Sequence, residues 1–383
     1  IKAGVLALPD IAPGASATIE LDCAVRAPQP GATYTVDLHF TLAQPQPWAA
    51  AGHEVAFAQL VLGVLAQPLP VVRPATPVTV RAEGAMLAIR TGDTEIVFDC
   101  ARGVISHWRV AGRTLVHAGP RLTLWRALID NEARGGAAVA EEWRKRYLHL
   151  AQHRLNNMSW QQVSDGEVHV RVETALAPPV LDAVLDCIYE YTIKASGDVL
   201  LSVRGMPRGN WPAMLPRIGL EMTVPSTLDK VRWLGLGPGE NYADSRAAAR
   251  FGRWESTVDA MLTPYARPQE NGNHMETRWV ALQDDNDFGV MACGAPTINF
   301  SAHRFTTMDL DAARHPYELT AQPTITLHLD YAQNGLGSAS CGPGVAAPYQ
   351  LHAEPFAFSV TLRAVQAGID EVAQLGREAI HDH

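Results

Sequence analysis

Several features that mark whole classes of protein are scarce or missing here. The 383 residues include five cysteines, Cys23, Cys100, Cys187, Cys293 and Cys341, an odd number with no Cys-x-x-Cys pair. That spacing argues against a zinc site, a redox pair or a disulfide framework, and suits small buried thiols in a reducing compartment. Apolar runs such as residues 60–66 fall far short of the ~20 residues that span a bilayer. Positive charge is also short: 31 Lys and Arg against 40 Asp and Glu give a net charge of −9. No basic field exists for nucleic acid or for an anionic membrane surface. Alternation of strands with helices is absent, so neither a TIM barrel nor a Rossmann sheet can be assembled. An initiator Met and a signal peptide are missing before Ile1-Lys2-Ala3-Gly4, so Ile1 is not expected to be a natural start.

What remains is a chain of ordinary globular composition, 47% hydrophobic and 19% charged, written in period two. Ile19, Leu21, Cys23 and Val25 alternate with polar residues, as do Tyr34, Val36, Leu38, Phe40 and Leu42. The same stripe recurs at Val168, Val170 and Val172, at Ile325, Leu327, Leu329 and Tyr331, and at Phe356, Phe358, Val360 and Leu362. Pro13-Gly14, Pro30-Gly31, Ser196-Gly197-Asp198 and Asn334-Gly335 supply the turns. The pattern predicts an all-β, mostly antiparallel protein. Helical spacing is confined to residues 137–155, with Val139, Trp143, Tyr147 and Leu150, and to a short C-terminal segment, 369–380. Prolines at 68, 70, 74 and 77 predict an extended linker over 67–77. It separates a small β unit, 1–66, from a large one, 78–365, followed by a tail, 366–383.

The most specific block is 231–279, with Gly235, Gly237, Gly239, Glu240-Asn241-Tyr242, Pro268-Gln269-Glu270-Asn271-Gly272 and Thr277-Arg278. Earlier comes Leu124-Trp125-Arg126-Ala127-Leu128-Ile129-Asp130-Asn131-Glu132, and later the glycine-rich stretch 335–343. Together with Trp48 and Gly52-His53 in the first unit, these resemble the C-terminal part of the LacZ-type β-galactosidases. The resemblance implies a partial immunoglobulin-like β-sandwich over 1–66 and a galactose-mutarotase-like antiparallel β-supersandwich over 78–365. Glu132 stands where the family usually has Asp.

That resemblance implies a role without the reaction centre. Retaining glycosidases need two carboxyl groups about 5 Å apart, and in this family both glutamates lie on a barrel that this chain lacks. The chain is therefore expected to be inactive alone, to complete the pocket of the barrel-bearing portion, and to support a homo-oligomer acting on β-galactosides in the cytoplasm. It is expected to hold no cofactor, the Mg and Na of the intact enzymes being bound elsewhere, and to engage neither nucleic acid nor membrane. Residues implied to reach substrate lie in two loops. Asn131, Glu132 and Gly135 belong to the first, and Ser340 and Cys341 to the second, with Cys341 where family members carry a sugar-stacking Trp. An alternative is a stand-alone carbohydrate-binding or aldose-epimerase-like protein, for which Glu270 and His274 would be the acid–base pair. Against it stands the reading that Glu240-Asn241 and Glu270-Asn271 serve the backbone of long loops. Trp125, Trp233, Trp254 and Trp279 lie among apolar alternating residues and are expected in the core.

Overall fold

A computed structural model describes residues 3–63, 76–133 and 139–379. The chain divides into two compact units, Ile1–Leu69 and Pro70–His383. Most of the proline-rich stretch, and Gly135 with its neighbours 134–138, lie outside the described residues.

In the first unit, strand Tyr34–Thr41 pairs antiparallel with Glu54–Leu62, Tyr34 opposite Leu62. The alternation at Ile19–Val25 forms no strand. Among the described residues no strand pairs with it, and period two by itself makes no ladder. No second sheet faces the hairpin among the described residues of this unit.

The second unit is an antiparallel β-supersandwich. Thr79–Glu83, Met86–Thr91, Thr94–Asp99, Val104–Val110 and Arg113–Val116 form a five-stranded meander. A twelve-stranded sheet follows the path Arg250–Thr257, Lys230–Gly237, His274–Gln283, Phe288–His303, Phe356–Gln366, Val199–Arg208, Val184–Lys194, Glu167–Ala177 and Gln152–Ser164. Strand Phe288–His303 causes a branch. Its first half pairs with Phe356–Gln366 and its second half with Thr324–Gln333. Pro296, which has no N–H to give a ladder, stands between the two halves. Beyond the branch, Arg217–Pro225 pairs with Thr324–Gln333 on one side and Ala118–Thr123 on the other.

The strands read from period two are those whose alternate residues fill the interior. Val168, Val170 and Val172 are at most 1% exposed, as are Ile325, Leu327 and Leu329. Trp125, Trp233 and Trp279 are buried, and Trp254 is half-buried with its indole N–H donating to the Gly235 carbonyl at 3.2 Å. Strand His274–Gln283 is covered on both faces: Val280 and Leu282 point into the main core, Trp279 and Ala281 into a second cluster with Val372 and Ala373. Those last two belong to the terminal helix Ile369–Ala379. The helix comes so close that a Cβ on Gly376 would fall 2.7 Å from Trp279 Cγ.

The helix expected over 137–155 is much shorter, Val139–Lys145. Tyr147 takes a left-handed conformation, φ 51°, a turn Leu148–Leu150 follows, and Gln152 begins a strand. Tyr147 and Leu150, which extended the helical spacing, are 41% and 45% exposed and supply no buried face to hold further turns.

Candidate functional site

The second unit presents one loop, residues 334–345, built to hold a shape. Its exit from strand Thr324–Gln333 is anchored by Arg126, a fully buried arginine amid apolar residues. The Arg126 guanidinium donates to the carbonyls of Asn334 at 2.5 Å and Gly335 at 3.1 Å, and pairs with Glu132. Asp244 comes from the far side. Its two carboxylate oxygens accept from the backbone N–H of Leu336 at 2.9 Å and Gly337 at 2.7 Å. A Cβ on Gly335 would lie 2.7 Å from that carboxylate, which explains a glycine there. Within the loop, Ser338 accepts from Gly342 N–H at 2.6 Å and from Cys341 N–H at 3.1 Å. The tip carries exposed Ser340 and Cys341.

Asn131 clips this loop to a distant segment. The short helical turn Asp130–Ala133 sets its side chain, whose amide donates to the carbonyls of Gly337 at 2.7 Å and Leu336 at 3.2 Å. Its oxygen accepts from Ser340, backbone N–H at 3.2 Å and hydroxyl at 2.6 Å. The structure thus brings Asn131, Ser340 and the neighbouring Cys341 together. Glu132 points the other way. It is 4% exposed, pairs with Arg126 and accepts from its own Ile129 N–H at 3.1 Å. Burial pushes its carboxyl up, with the Arg126 charge opposing. Both of its oxygens are engaged, so it shapes the loop from within and has no face for a ligand. Gly135 lies outside the described residues.

Sequence reasoning missed Arg126 and Asp244. A usable signal existed for Arg126: an arginine inside an apolar run must be paired once buried. Asp244 carried none, because its partners are backbone groups 92 and 93 residues away.

The Glu-Asn pairs serve the backbone. Asn241 accepts from Met275 N–H at 2.8 Å and Asn271 from Thr263 N–H at 3.1 Å. Glu240 accepts from Gly272 N–H at 2.7 Å. His274 does not meet Glu270. Its ring bonds the carbonyls of Gly272 at 3.0 Å and Pro238 at 3.2 Å and stacks on Phe300. Glu270 instead binds Arg217, which also lies 3.0 Å from Asp330. These three are 6%, 0% and 0% exposed, so no sugar reaches the carboxylates. Among the described residues, no group of three or more His, Cys, Asp or Glu is placed to hold a metal ion, and no helix is long and apolar enough to cross a membrane.

The family described as β-galactosidase small chain matches residues 90–362. The chain belongs to that family. Residues 1–63 match β-galactosidase domain 4. A β-galactosidase of Arthrobacter sp. (strain B7) is 33% identical over 344 residues, 83% of this chain and 32% of the relative. One from Priestia megaterium is 31% identical over 294 residues, 76% of this chain and 27% of the relative. The chain thus spans about a third of the length of these β-galactosidases. Among solved structures, a galactose mutarotase-like protein from Clostridium acetobutylicum matches 76% of this chain and 99% of its own, at 8% identity and a TM-score of 0.43.

The polar interior behind the loop should make this small-chain domain acid-sensitive. His303 is 4% exposed, bonds the Asn271 carbonyl at 2.9 Å, and burial pushes its pKa down to about 4. Its folded value lies below the unfolded one, near 6.5. Its stability contribution is therefore complete above pH 6.5 and is lost as pH falls to about 4, where the unfolded state has taken up a proton that the fold refuses. The shift corresponds to about 3 kcal/mol. Urea denaturation across pH 7 to 4 should show that loss, and His303→Leu should flatten it. An unchanged slope in the variant would remove His303 as the cause.

Proposed function

We propose that this chain is the non-catalytic part of a β-galactosidase and that the clipped loop tip at Ser340 and Cys341 completes the galactoside pocket of the barrel-bearing portion. The observation that carries this reading is the Asn131 clip: two segments about 200 residues apart are locked together, and the result is an exposed tip, not a buried contact. Such rigidity has a use where a loop must meet a substrate held by something else. The relatives' names support the reaction class, β-galactosidase, and the proposed substrates are terminal β-galactosides such as lactose. In this reading the nucleophile, the acid–base group and any Mg or Na are held outside this chain. Cys341 then offers the sugar a small, soft contact and no aromatic face. Homo-oligomeric assembly and a cytoplasmic location belong to the same proposal.

The test is complementation. The purified chain should not cleave a chromogenic β-galactoside, and mixing it with the remaining portion of a related β-galactosidase should restore cleavage. Turnover by the chain alone would overturn the reading.

A further inference from the structure

Residues 334–337, which carry the exposed tip out of the domain, belong to no strand or helix. Every backbone polar group they have is nonetheless taken. The N–H groups of Asn334 and Gly335 donate to the carbonyls of Pro216 at 3.0 Å and Tyr349 at 2.8 Å. Arg126 holds the carbonyls of 334 and 335, and the Asn131 amide holds those of 336 and 337. The two remaining N–H groups, of Leu336 and Gly337, both go to the Asp244 carboxylate. We propose that Asp244 is a positioning residue for the galactoside reaction: by fixing this stem it sets where Ser340 and Cys341 stand. This role presupposes that the tip completes the pocket, as proposed above.

The tip can be placed only through its stem and its clip. Residues 338–343 close on themselves. Ser338 donates to the Pro343 carbonyl through its N–H at 3.0 Å and its hydroxyl at 3.2 Å, and the Ser338 carbonyl accepts from Cys341 and Gly342. Such a turn moves as one body. It leaves the stem at Gly337, whose φ of 61° lies in the left-handed region and whose Cβ, if it had one, would fall 3.0 Å from the Val345 nitrogen. The direction of departure therefore follows from the peptide planes on either side of Gly337. The plane between 336 and 337 is gripped at both edges, its N–H by Asp244 and its carbonyl by Asn131. Bonds to an ionised acceptor are about twice as strong as neutral ones, so Asp244 is the stiffer of the two grips.

Asp244 can act this way because its own turn is fixed. Tyr242 is 3% exposed and points its hydroxyl at Glu270, 3.5 Å away, inside the buried Arg217 network. Ser245 N–H closes the turn on the Tyr242 carbonyl at 2.9 Å, and Arg246 pairs with Glu276 at 2.6 Å. A line of contacts thus runs from Arg217 through Glu270 and Tyr242 to Asp244 and the stem. Asp244 bonds the stem and neither Ser340 nor Cys341, so its effect on the tip passes through the backbone.

Asp244→Asn tests this at a half-buried position with little change of shape. It removes the charge and turns an NH2 group toward one of the two N–H donors. In the 383-residue chain, amide hydrogen exchange at Ser340, whose N–H is bonded to Asn131, should quicken about tenfold. Gly342 N–H, bonded inside the turn, and the amides of the central strand Val184–Lys194 should keep their rates. Asp244→Ala, which removes both acceptors and adds no donor, should repeat the pattern. Unchanged exchange at Ser340, or equal quickening at all three places, would overturn the role. Complemented with the remaining portion of a related β-galactosidase, Asp244→Asn should lose about tenfold in kcat/KM. Quickened Ser340 exchange with unchanged kcat and KM would overturn the role of Asp244 alone. Failure of the parent chain to complement would overturn the pocket-completing reading and this role with it.

Discussion

Arg217→Met should lower the unfolding free energy by about 3–5 kcal/mol at neutral pH. Arg217 is fully buried; its Nη2 donates to Glu270 at 2.9 Å and its Nε lies 3.0 Å from Asp330. Gln333 donates to Asp330 at 2.9 Å and to Glu270 at 3.3 Å, which ties the two acids but brings no charge. Methionine fills much of the stem volume and leaves two enclosed carboxylates with no counter-charge there. The two acids do not share Arg217 equally. Burial raises the Asp330 carboxyl despite the arginine, whereas Glu270, equally enclosed, is held low by it. Asp330→Asn should therefore cost much less than Arg217→Met. The pH dependence has a definite sign. Without Arg217 both carboxyls rise above their unfolded values, so the folded variant binds protons more tightly than its unfolded chain does. Its deficit against the parent should shrink as pH falls from 7 to 5. Urea denaturation at the two pH values decides this, and a deficit that grows on acidification would contradict it.

This network also shows where sequence stops being legible. Strands whose alternate residues face the core announced themselves, as Val168–Val172 and Phe356–Leu362 do, because a half-buried ladder writes its face into every second residue. The same stripe at Ile19–Val25 failed, since a stripe says nothing about whether a partner strand is present. Helical spacing at Val139 and Trp143 was real for two turns, and Trp143 is anchored by its indole N–H on Met214 O at 2.7 Å. The continuation through Tyr147 and Leu150 was coincidence, as both stand in solvent. Asn131 and Ser340 were reachable through family resemblance, but the bond between them, 209 residues apart, was not. Resemblance implies a substrate-facing loop from Asn131 onward, but it does not separate Glu132 from its neighbour Asn131. In a single helical turn, adjacent residues point about 100° apart, and Glu132 goes inward to Arg126.

The second large effect belongs to the loop and reads on catalysis instead of folding. In the complemented enzyme, Asn131→Ala should lower kcat/KM for a galactoside by about 10- to 100-fold, the cost of an active-site segment displaced by about 1 Å. Alanine removes the amide that holds the Leu336 and Gly337 carbonyls and the oxygen that holds Ser340. Asp244 still anchors the loop's base, through the N–H groups of Leu336 and Gly337. The tip should therefore wander while the domain stays folded, with stability changed by about 1 kcal/mol at this partly exposed site. Asn131→Asp separates the two halves of the clip. It keeps an acceptor for Ser340 but loses the amide donor, and it places a carboxylate against two carbonyl oxygens, so it should be no better than alanine. Ser340→Ala removes only the hydroxyl contact, leaving the backbone N–H bond to Asn131, and should cost less than tenfold. If the loop meets substrate mainly in the transition state, the loss falls on kcat; if it only helps to seat the sugar, KM rises and kcat holds. A complemented Asn131→Ala enzyme with unchanged kcat and KM would show that the clip is ordinary loop packing, and that the pocket is closed by another part of the chain.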